Sequence, residues 1–178
     1  MSRQYFDDIL TEPVNADFTT ITATTETVLI PTAFTPINAL EPRAGKIYEL
    51  IVGGTVTTGT AGTLTITPRF GTTISGVSIG ASPAQNYVPS ITTAPFLFRY
   101  YLAIRSLGLP GANSVVYGVG NWISGGAIAT AASQTSVSIG GTATASVDTS
   151  VASALWIGIT FSVAPSVIPR FHAWRSLN

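Results

Sequence analysis

The sequence contains few residues of the kinds that catalyse reactions. It has no cysteine, a single histidine (His172) and a single lysine (Lys46) among 178 residues. Without cysteine there can be no disulfide scaffold, thiolate nucleophile or cysteine-ligated zinc site. Charged residues make up 9% of the chain, against roughly 25% in an average soluble domain. The composition therefore argues against an enzyme and favours a protein that binds or assembles.

The charges that are present cancel. Eight basic and eight acidic residues give a net charge of zero, so no net field attracts nucleic acid or anionic lipid, and we predict neither as a partner. No signal peptide or membrane-spanning apolar run is predicted. Low total charge favours association between copies over repulsion. We expect an oligomer that buries neutral surface; the alternative is a monomer with a threonine and serine coat.

What the sequence has in abundance is residues that build β-sheet. Apolar side chains alternate with other residues in blocks 63–70, 96–105 and 155–163, and alternation of this kind predicts strands with one buried face. Residues 46–52 are apolar on both faces apart from Lys46 and Glu49, which indicates a central strand. Further strands are predicted at 19–30, 45–57, 72–79, 114–124, 135–146 and 167–176.

Turn residues separate these blocks. Gly53-Gly54, Pro110-Gly111 and Gly140-Gly141 lie at or near predicted strand ends, and no stretch keeps helical spacing. Eight or nine strands without helices predict an all-β fold. We expect an antiparallel two-sheet jelly-roll sandwich of about eight strands, formed as a single domain by residues 18–178.

Two segments differ from the rest. Residues 1–17 contain four of the eight acidic residues, together with Pro13, and we interpret them as an arm that packs on a neighbouring subunit; a frayed terminus is the alternative. Residues 125–153 are rich in alanine, serine, threonine and glycine, which is typical of a close subunit seam or of a surface loop. The predicted anchors of the arm are Tyr5, Phe6, Ile9 and Leu10.

Candidate catalytic groups do not form a recognisable set. His172 is expected to share a strand face with Ile168, Arg170 and Trp174, and its nearest acid in sequence is Asp148. An interface role therefore fits His172 better than general-base catalysis. One histidine cannot supply a histidine-based metal site, no phosphate loop is present, and no cofactor is predicted. Nothing in the sequence supports a glycosidase pair among Glu26, Glu41, Glu49 and Asp148.

The aromatic residues allow two interpretations. Trp156 lies on the opposite face of its strand from Leu155 and Ile157, so we predict Trp156, together with Trp174, as a subunit-interface contact. The alternative is a sugar-stacking platform. Its members would come from Trp122, Trp156, Trp174, Tyr87, Tyr100, Tyr101 and Tyr117.

Three blocks together resemble a known group of proteins. They are Thr27-Val28-Leu29-Ile30-Pro31 with Phe34, the glycine-bounded hairpin from Ala44 to Gly71, and the ending Val147-Asp148-Thr149-Ser150 followed by Leu155 to Thr160. This pattern resembles small jelly-roll structural proteins of tailed bacteriophages. The resemblance implies a homotrimer without a catalytic site. It also implies assembly into the virion in the host cytoplasm, in contact with the major capsid protein or another virion protein.

This resemblance leads to two functional expectations. The first is a capsid decoration or cement protein that clamps neighbouring capsomers. The second is a receptor- or glycan-binding module of a phage tail or spike.

Overall fold

The computed structural model describes residues 8–11, 16–87, 89–108, 114–125, 134–141 and 145–177. Within these ranges the chain is all-β, with one short 3-10 helix at Thr32–Phe34. Seven strands have eight or more residues: β4 (Ile47–Thr58), β5 (Gly62–Gly71), β9 (Ile91–Ser106), β10 (Ser114–Gly125), β11 (Gln134–Gly141), β13 (Ser153–Phe161) and β14 (Pro165–Ser176). The short strands are β1 (Asp8–Thr11), β2 (Thr27–Val28), β3 (Pro36–Ile37), β6 (Val77–Ser78), β7 (Gly80–Ala81), β8 (Gln85–Tyr87) and β12 (Ala145–Val147).

The strands form two antiparallel sheets. The large sheet has the order β1-β14-β4-β9-β10-β11-β7, with β12 also paired to β10. The small sheet has the order β2-β13-β5-β6, with β3 paired to β13 and β8 to β5. The run β1-β14-β4-β9 of the large sheet and the run β2-β13-β5-β6 of the small sheet follow a jelly-roll order, with β10 and β11 added beyond β9. The predicted sandwich is confirmed.

The core lies between the two sheets. In β9 and β13 every second residue turns inward, because side chains on a strand alternate between its faces. The large sheet contributes Leu50, Phe98 and Trp122, and the small sheet contributes Leu64 and Ile157, all almost fully buried. Strand β4 lies between β14 and β9, as the apolar residues on both of its faces predicted.

Strand β14 contains a bulge that reverses its alternation. The pairing register with β4 shifts between Pro169 and Phe171. Val167 and Pro169 point inward before the shift, whereas His172 and Trp174 point inward after it. The prediction that His172 shares a face with Ile168 and Arg170 is therefore wrong, because the extra residue at the bulge leaves two consecutive residues exposed.

The free edge of β14 is followed by the N-terminal part of the same chain. Asp8 pairs with Ser176 and Ile9 with Arg175, and further along the amide of Phe18 donates to the carbonyl of Pro169 at 2.9 Å. Residues 8–11 of the predicted arm thus pair with β14 of the same chain. Backbone hydrogen bonds of this kind protect the parts of the edge that they cover from pairing with another chain.

Two predicted strands are mostly irregular. In block 19–30, Ile21 bridges to Val167 of the large sheet, whereas Thr27–Val28 pair with the small sheet, so the chain crosses between sheets there. In block 72–79, a turn after Gly71 returns the chain to pair Val77 with Phe70. Alternation alone does not show that a segment changes sheet or reverses direction.

Candidate interaction surface

The outward side of the large sheet combines exposed apolar side chains with charged ones. The register of β14, β4, β9 and β10 places its residues in cross-strand rows. We call this surface the large-sheet outer face. Its members are Ile47, Glu49, Ile51, Leu97, Arg99, Tyr101, Ala103, Arg105, Tyr117, Val119, Asn121, Ile123, Phe171, Ala173 and Arg175.

Three large apolar side chains of this face are open to solvent. Leu97 and Val119 are each 43% exposed and Phe171 is 47% exposed. Leu97 lies directly opposite Ile123 on one side and Gly53 on the other, and Gly53 lies opposite Phe171. An apolar row therefore runs across four strands. Contiguous exposed apolar surface on a soluble domain marks an interaction site more often than isolated apolar residues do.

Phe171 is held in this row by a glycine. A Cβ atom added at Gly53 would lie 2.1 Å from Cε1 of Phe171, so the ring rests on the backbone of β4. A glycine within a strand often marks such close approach. The ring therefore has a fixed position although almost half of it remains exposed.

A buried carboxylate lies beside this apolar row. The side chain of Glu49 is only 2% exposed; it forms an ion pair with Nε of Arg99 at 3.0 Å and accepts a hydrogen bond from Nε of Arg175 at 2.5 Å. Burial and a hydrogen bond to Glu49 raise the pKa of Tyr101, whose ring lies 5.9 Å from the guanidinium carbon of Arg99. With Arg105 as well, this face carries three arginines against one glutamate among its described residues.

The predicted interface residues are spread over different environments. Tyr5 and Phe6 lie outside the described residues. Ile9 and Leu10 belong to β1, which pairs with β14. Trp156 is half-buried on the outward side of the small sheet, where it pairs with Arg69 and its indole N–H donates to the carbonyl of Gly71 at 2.9 Å.

Trp174 requires a correction. It was predicted as an interface contact, but its side chain is completely buried in the core. Its ring stacks on that of Tyr48 at 5.2 Å, and its N–H donates to the carbonyl of Pro36 at 3.0 Å. Because the bulge in β14 turns this part of the strand inward, Trp174 is not available to a partner of the folded subunit.

The seven aromatic residues considered for sugar stacking are not brought together. Trp122, Trp174, Tyr87 and Tyr100 are buried in the core. Trp156 points outward from the small sheet, whereas Tyr101 and Tyr117 belong to the large-sheet outer face. The structure therefore has no single platform composed of this set.

The carboxylates among which a glycosidase pair would have to be found each contact other groups. Glu26 forms a bidentate pair with Arg69, at 3.0 and 3.1 Å. Glu41 accepts from Lys46 at 2.8 Å, and Asp148 accepts from the amide of Ser150 at 2.8 Å. Burial tends to raise the pKa of Glu41, but hydrogen bonds led by that of Lys46 outweigh burial and lower it.

Within the described ranges no three metal-ligating side chains come together. The same ranges contain no helix with the length and apolar character that crossing a bilayer requires.

His172 lies in an aromatic cluster at the bulge. Its ring centroid is 4.9 Å from that of Phe34 and 5.7 Å from that of Phe18, and the residue is 1% exposed. Burial disfavours the charged imidazolium and lowers the pKa of His172 below its ordinary value of 6.5. The histidine is thus a core residue rather than an interface contact.

Lowering the pH below about 6.5 is expected to reduce the free energy of unfolding. Below about pH 6.5 the unfolded chain binds a proton at His172 that the folded chain does not bind, so the free energy of unfolding falls as the pH falls. Urea unfolding at pH 7.5 and pH 5.5 measures this loss. His172→Gln is expected to reduce the difference between the two conditions. An equal pH dependence in both proteins would contradict the assignment.

Comparison with protein-family models, with curated proteins and with solved structures finds no match to this chain.

Sequence reasoning missed most of the large-sheet outer face. The outward set of β9 is visible as Leu97, Arg99, Tyr101 and Ala103 alternating with the core residues. Phe171 was not foreseen, because the bulge in β14 changes the face on which it lies. The pairing that places Leu97, Gly53 and Phe171 in one row joins residues distant in sequence, and no local pattern contains that information.

Proposed function

We propose that this chain is a structural protein of a virion, acting as a homotrimeric capsid decoration protein that clamps neighbouring capsomers. The observation that carries the proposal is the large-sheet outer face, where Leu97, Val119 and Phe171 remain exposed on a regular sheet. The chain's net charge of zero is consistent with tight assembly. The jelly-roll order and the resemblance to small phage structural proteins support placement in a virion.

The mechanism is mechanical rather than chemical. Covering the outer face with a neighbouring subunit or the major capsid protein removes apolar surface from water, which stabilises contact by about 25 cal/mol per Å² before ordering costs. A trimer contacts several capsid subunits at once, so each weak contact gains from high effective concentration. Clamping neighbouring capsomers opposes the outward pressure of packaged nucleic acid.

Replacing an exposed apolar residue of this face with aspartate is expected to weaken attachment. Leu97→Asp leaves the core unchanged but places a charge in the contact, and we expect occupancy on capsids to fall by roughly tenfold or more, the equivalent of about 1.4 kcal/mol. The measurement is the ratio of bound protein to major capsid protein in purified particles of the virus that encodes the chain.

Leu40→Asp is the matched control. Leu40 is 76% exposed and lies in the connection between β3 and β4, outside the strands that form the large-sheet outer face, so its replacement is expected to leave occupancy unchanged. Equal occupancy for both variants would remove this face from the model. Absence of the unmodified protein from purified particles would overturn the virion assignment itself.

The arm is tested separately. Since residues 8–11 pair with β14, a deletion that isolates any contact with a neighbour must stop at residue 7. Loss of residues 1–7 is expected to lower occupancy if Tyr5 and Phe6 anchor the arm, whereas unchanged occupancy would exclude them.

A glycan- or receptor-binding module remains the second candidate because of one outward tryptophan. Trp156 lies beside the Arg69–Glu26 ion pair, on a small-sheet face that otherwise presents threonines such as Thr67 and Thr160. An aromatic ring next to charged hydrogen-bonding groups is a common way to hold a sugar. A glycan array with binding that Trp156→Ala abolishes would favour this function, and an array without binding would exclude it for the glycans displayed.

A further inference from the structure

The outer edge of strand β11 lacks the features that usually prevent strand pairing. In the part of the chain that the structure describes, β11 pairs with β10 along residues 134–139 and meets β7 only at Gly140 and Gly141. No described residue pairs with its other edge over residues 134–139. Unpaired backbone groups in a row are a template for a strand from another chain.

The other described edges differ from this one. Strand β1 has four residues, a register shift and an acidic residue, Asp8. Strands β2 and β6, at the edges of the small sheet, have two residues each. Strand β11 has eight residues with no charge, no proline and no register shift. Natural proteins normally protect an edge of this length with at least one of those devices.

We infer that the β11 edge pairs antiparallel with β11 of a second copy of this chain, about a two-fold axis. Val137 and Ile139 are buried on the core side, and Ser138 is exposed between them. Two-fold pairing keeps these inward residues on the same side of the joined sheet in both copies. The cores of the two subunits then continue across the new strand pair.

The chemistry of the edge suits pairing between two identical copies. The strand reads Gln-Thr-Ser-Val-Ser-Ile-Gly-Gly, so two copies bring no like charges together. Serine and threonine side chains that face each other across antiparallel strands stabilise the pair. The edge has no charge that would select an acidic or basic partner.

This inference concerns a contact different from the large-sheet outer face and does not require a virion. Two-fold pairing joins two lone subunits into a dimer, or two trimers into a hexamer. Either way, the assembled species contains an even number of subunits, and breaking the pair halves its mass. The test is therefore independent of the three-fold contact proposed above.

The experiment compares the native mass of the full chain with that of Ser138→Lys by sedimentation equilibrium. A lysine on this edge places two positive charges near each other across the pair, so we expect the mass to fall twofold. Thr92→Lys is the control, because Thr92 is an exposed residue of the interior strand β9. Circular dichroism confirms that both variants fold, and amide hydrogen exchange in 134–139 is expected to accelerate only in Ser138→Lys.

Each possible mass of the unmodified protein and of Ser138→Lys supports or contradicts β11 pairing. A hexamer that becomes a trimer supports both this inference and the proposed three-fold assembly. A dimer that becomes a monomer supports β11 pairing and contradicts the trimer. A trimer whose mass Ser138→Lys leaves unchanged overturns β11 pairing and leaves the proposed function standing, and a monomeric unmodified protein overturns both.

Discussion

Replacing Trp174 with alanine is expected to lower the free energy of unfolding by about 3–5 kcal/mol, because truncating a buried tryptophan leaves a large cavity. Trp174 is fully buried, stacks on Tyr48 and donates its indole hydrogen to the carbonyl of Pro36. The variant therefore loses both packing and a hydrogen bond. Urea-induced unfolding, followed by circular dichroism, measures the change.

Trp156→Ala is the matched comparison. Trp156 is half-buried on the outer side of the small sheet. Its replacement by alanine is expected to lower the free energy of unfolding by about 1 kcal/mol, mainly because the hydrogen bond to the carbonyl of Gly71 is lost. Trp174→Phe keeps an aromatic ring beside Tyr48 and is expected to cost less than the alanine variant. If Trp174→Ala left the unfolding free energy unchanged but reduced oligomer formation, the assignment of Trp174 to the core would be wrong.

Gly118→Ala is expected to be the second most damaging substitution. A Cβ atom at Gly118 would lie 1.8 Å from the hydroxyl oxygen of Tyr100 and 2.5 Å from Cζ of the same ring. The ring also lies against Gly120, where an added Cβ would be 2.6 Å from Cδ2. The ring of Tyr100 cannot easily move away from the added methyl group, because Tyr100 is fully buried. We expect destabilisation of about 3 kcal/mol, at the upper end for an overpacked core.

A double-mutant cycle tests the cause. In a Tyr100→Leu background, the cost of Gly118→Ala is expected to fall by more than about 1 kcal/mol, because residues in direct contact do not act additively. Gly59→Ala is the control, since an added Cβ there meets nothing within 4 Å. Full additivity of the Gly118 and Tyr100 substitutions would show that the ring is not what excludes the side chain.

Much of the fold follows from local patterns, because inward and outward residues alternate along a strand that covers a core. Blocks 63–70, 96–105, 114–124 and 155–163 each became part of a long strand, and residues 46–52 proved to be central. Block 135–146 contains most of β11 and the start of the shorter strand β12. These predictions succeeded since burial on one sheet face requires the same alternation wherever the strand lies.

The errors have a shared physical origin in backbone irregularity. The register shift between Pro169 and Phe171 adds one residue to β14. As a result, each later side chain of the strand points to the opposite face from the one that simple alternation predicts. Trp174 consequently turned inward and Phe171 outward, contrary to the simple period of two. Block 19–30 keeps the threonine-rich alternation of a strand although its residues serve two sheets in succession.

The candidate site was less accessible from sequence than the fold. Alternation in the sequence identifies the outward residues of β9. Whether they form part of an apolar surface depends on which strands flank β9, and the sequence does not show this. Glu49 was noted as a charged residue in an apolar strand, whereas its two arginine partners come from residues 99 and 175. Only the strand order places those three side chains together.

The mass of the purified protein in solution tests the central claim most directly, because we propose that the protein assembles as a trimer whose subunits bury apolar surface of the large-sheet outer face. The chain has a mass of 18.5 kDa. Sedimentation equilibrium across a wide concentration range is expected to give three times that value or a multiple of it, with Leu97→Asp and Phe171→Asp shifting the protein toward smaller species. A mass of 18.5 kDa at every concentration, unchanged by either substitution, would contradict the account.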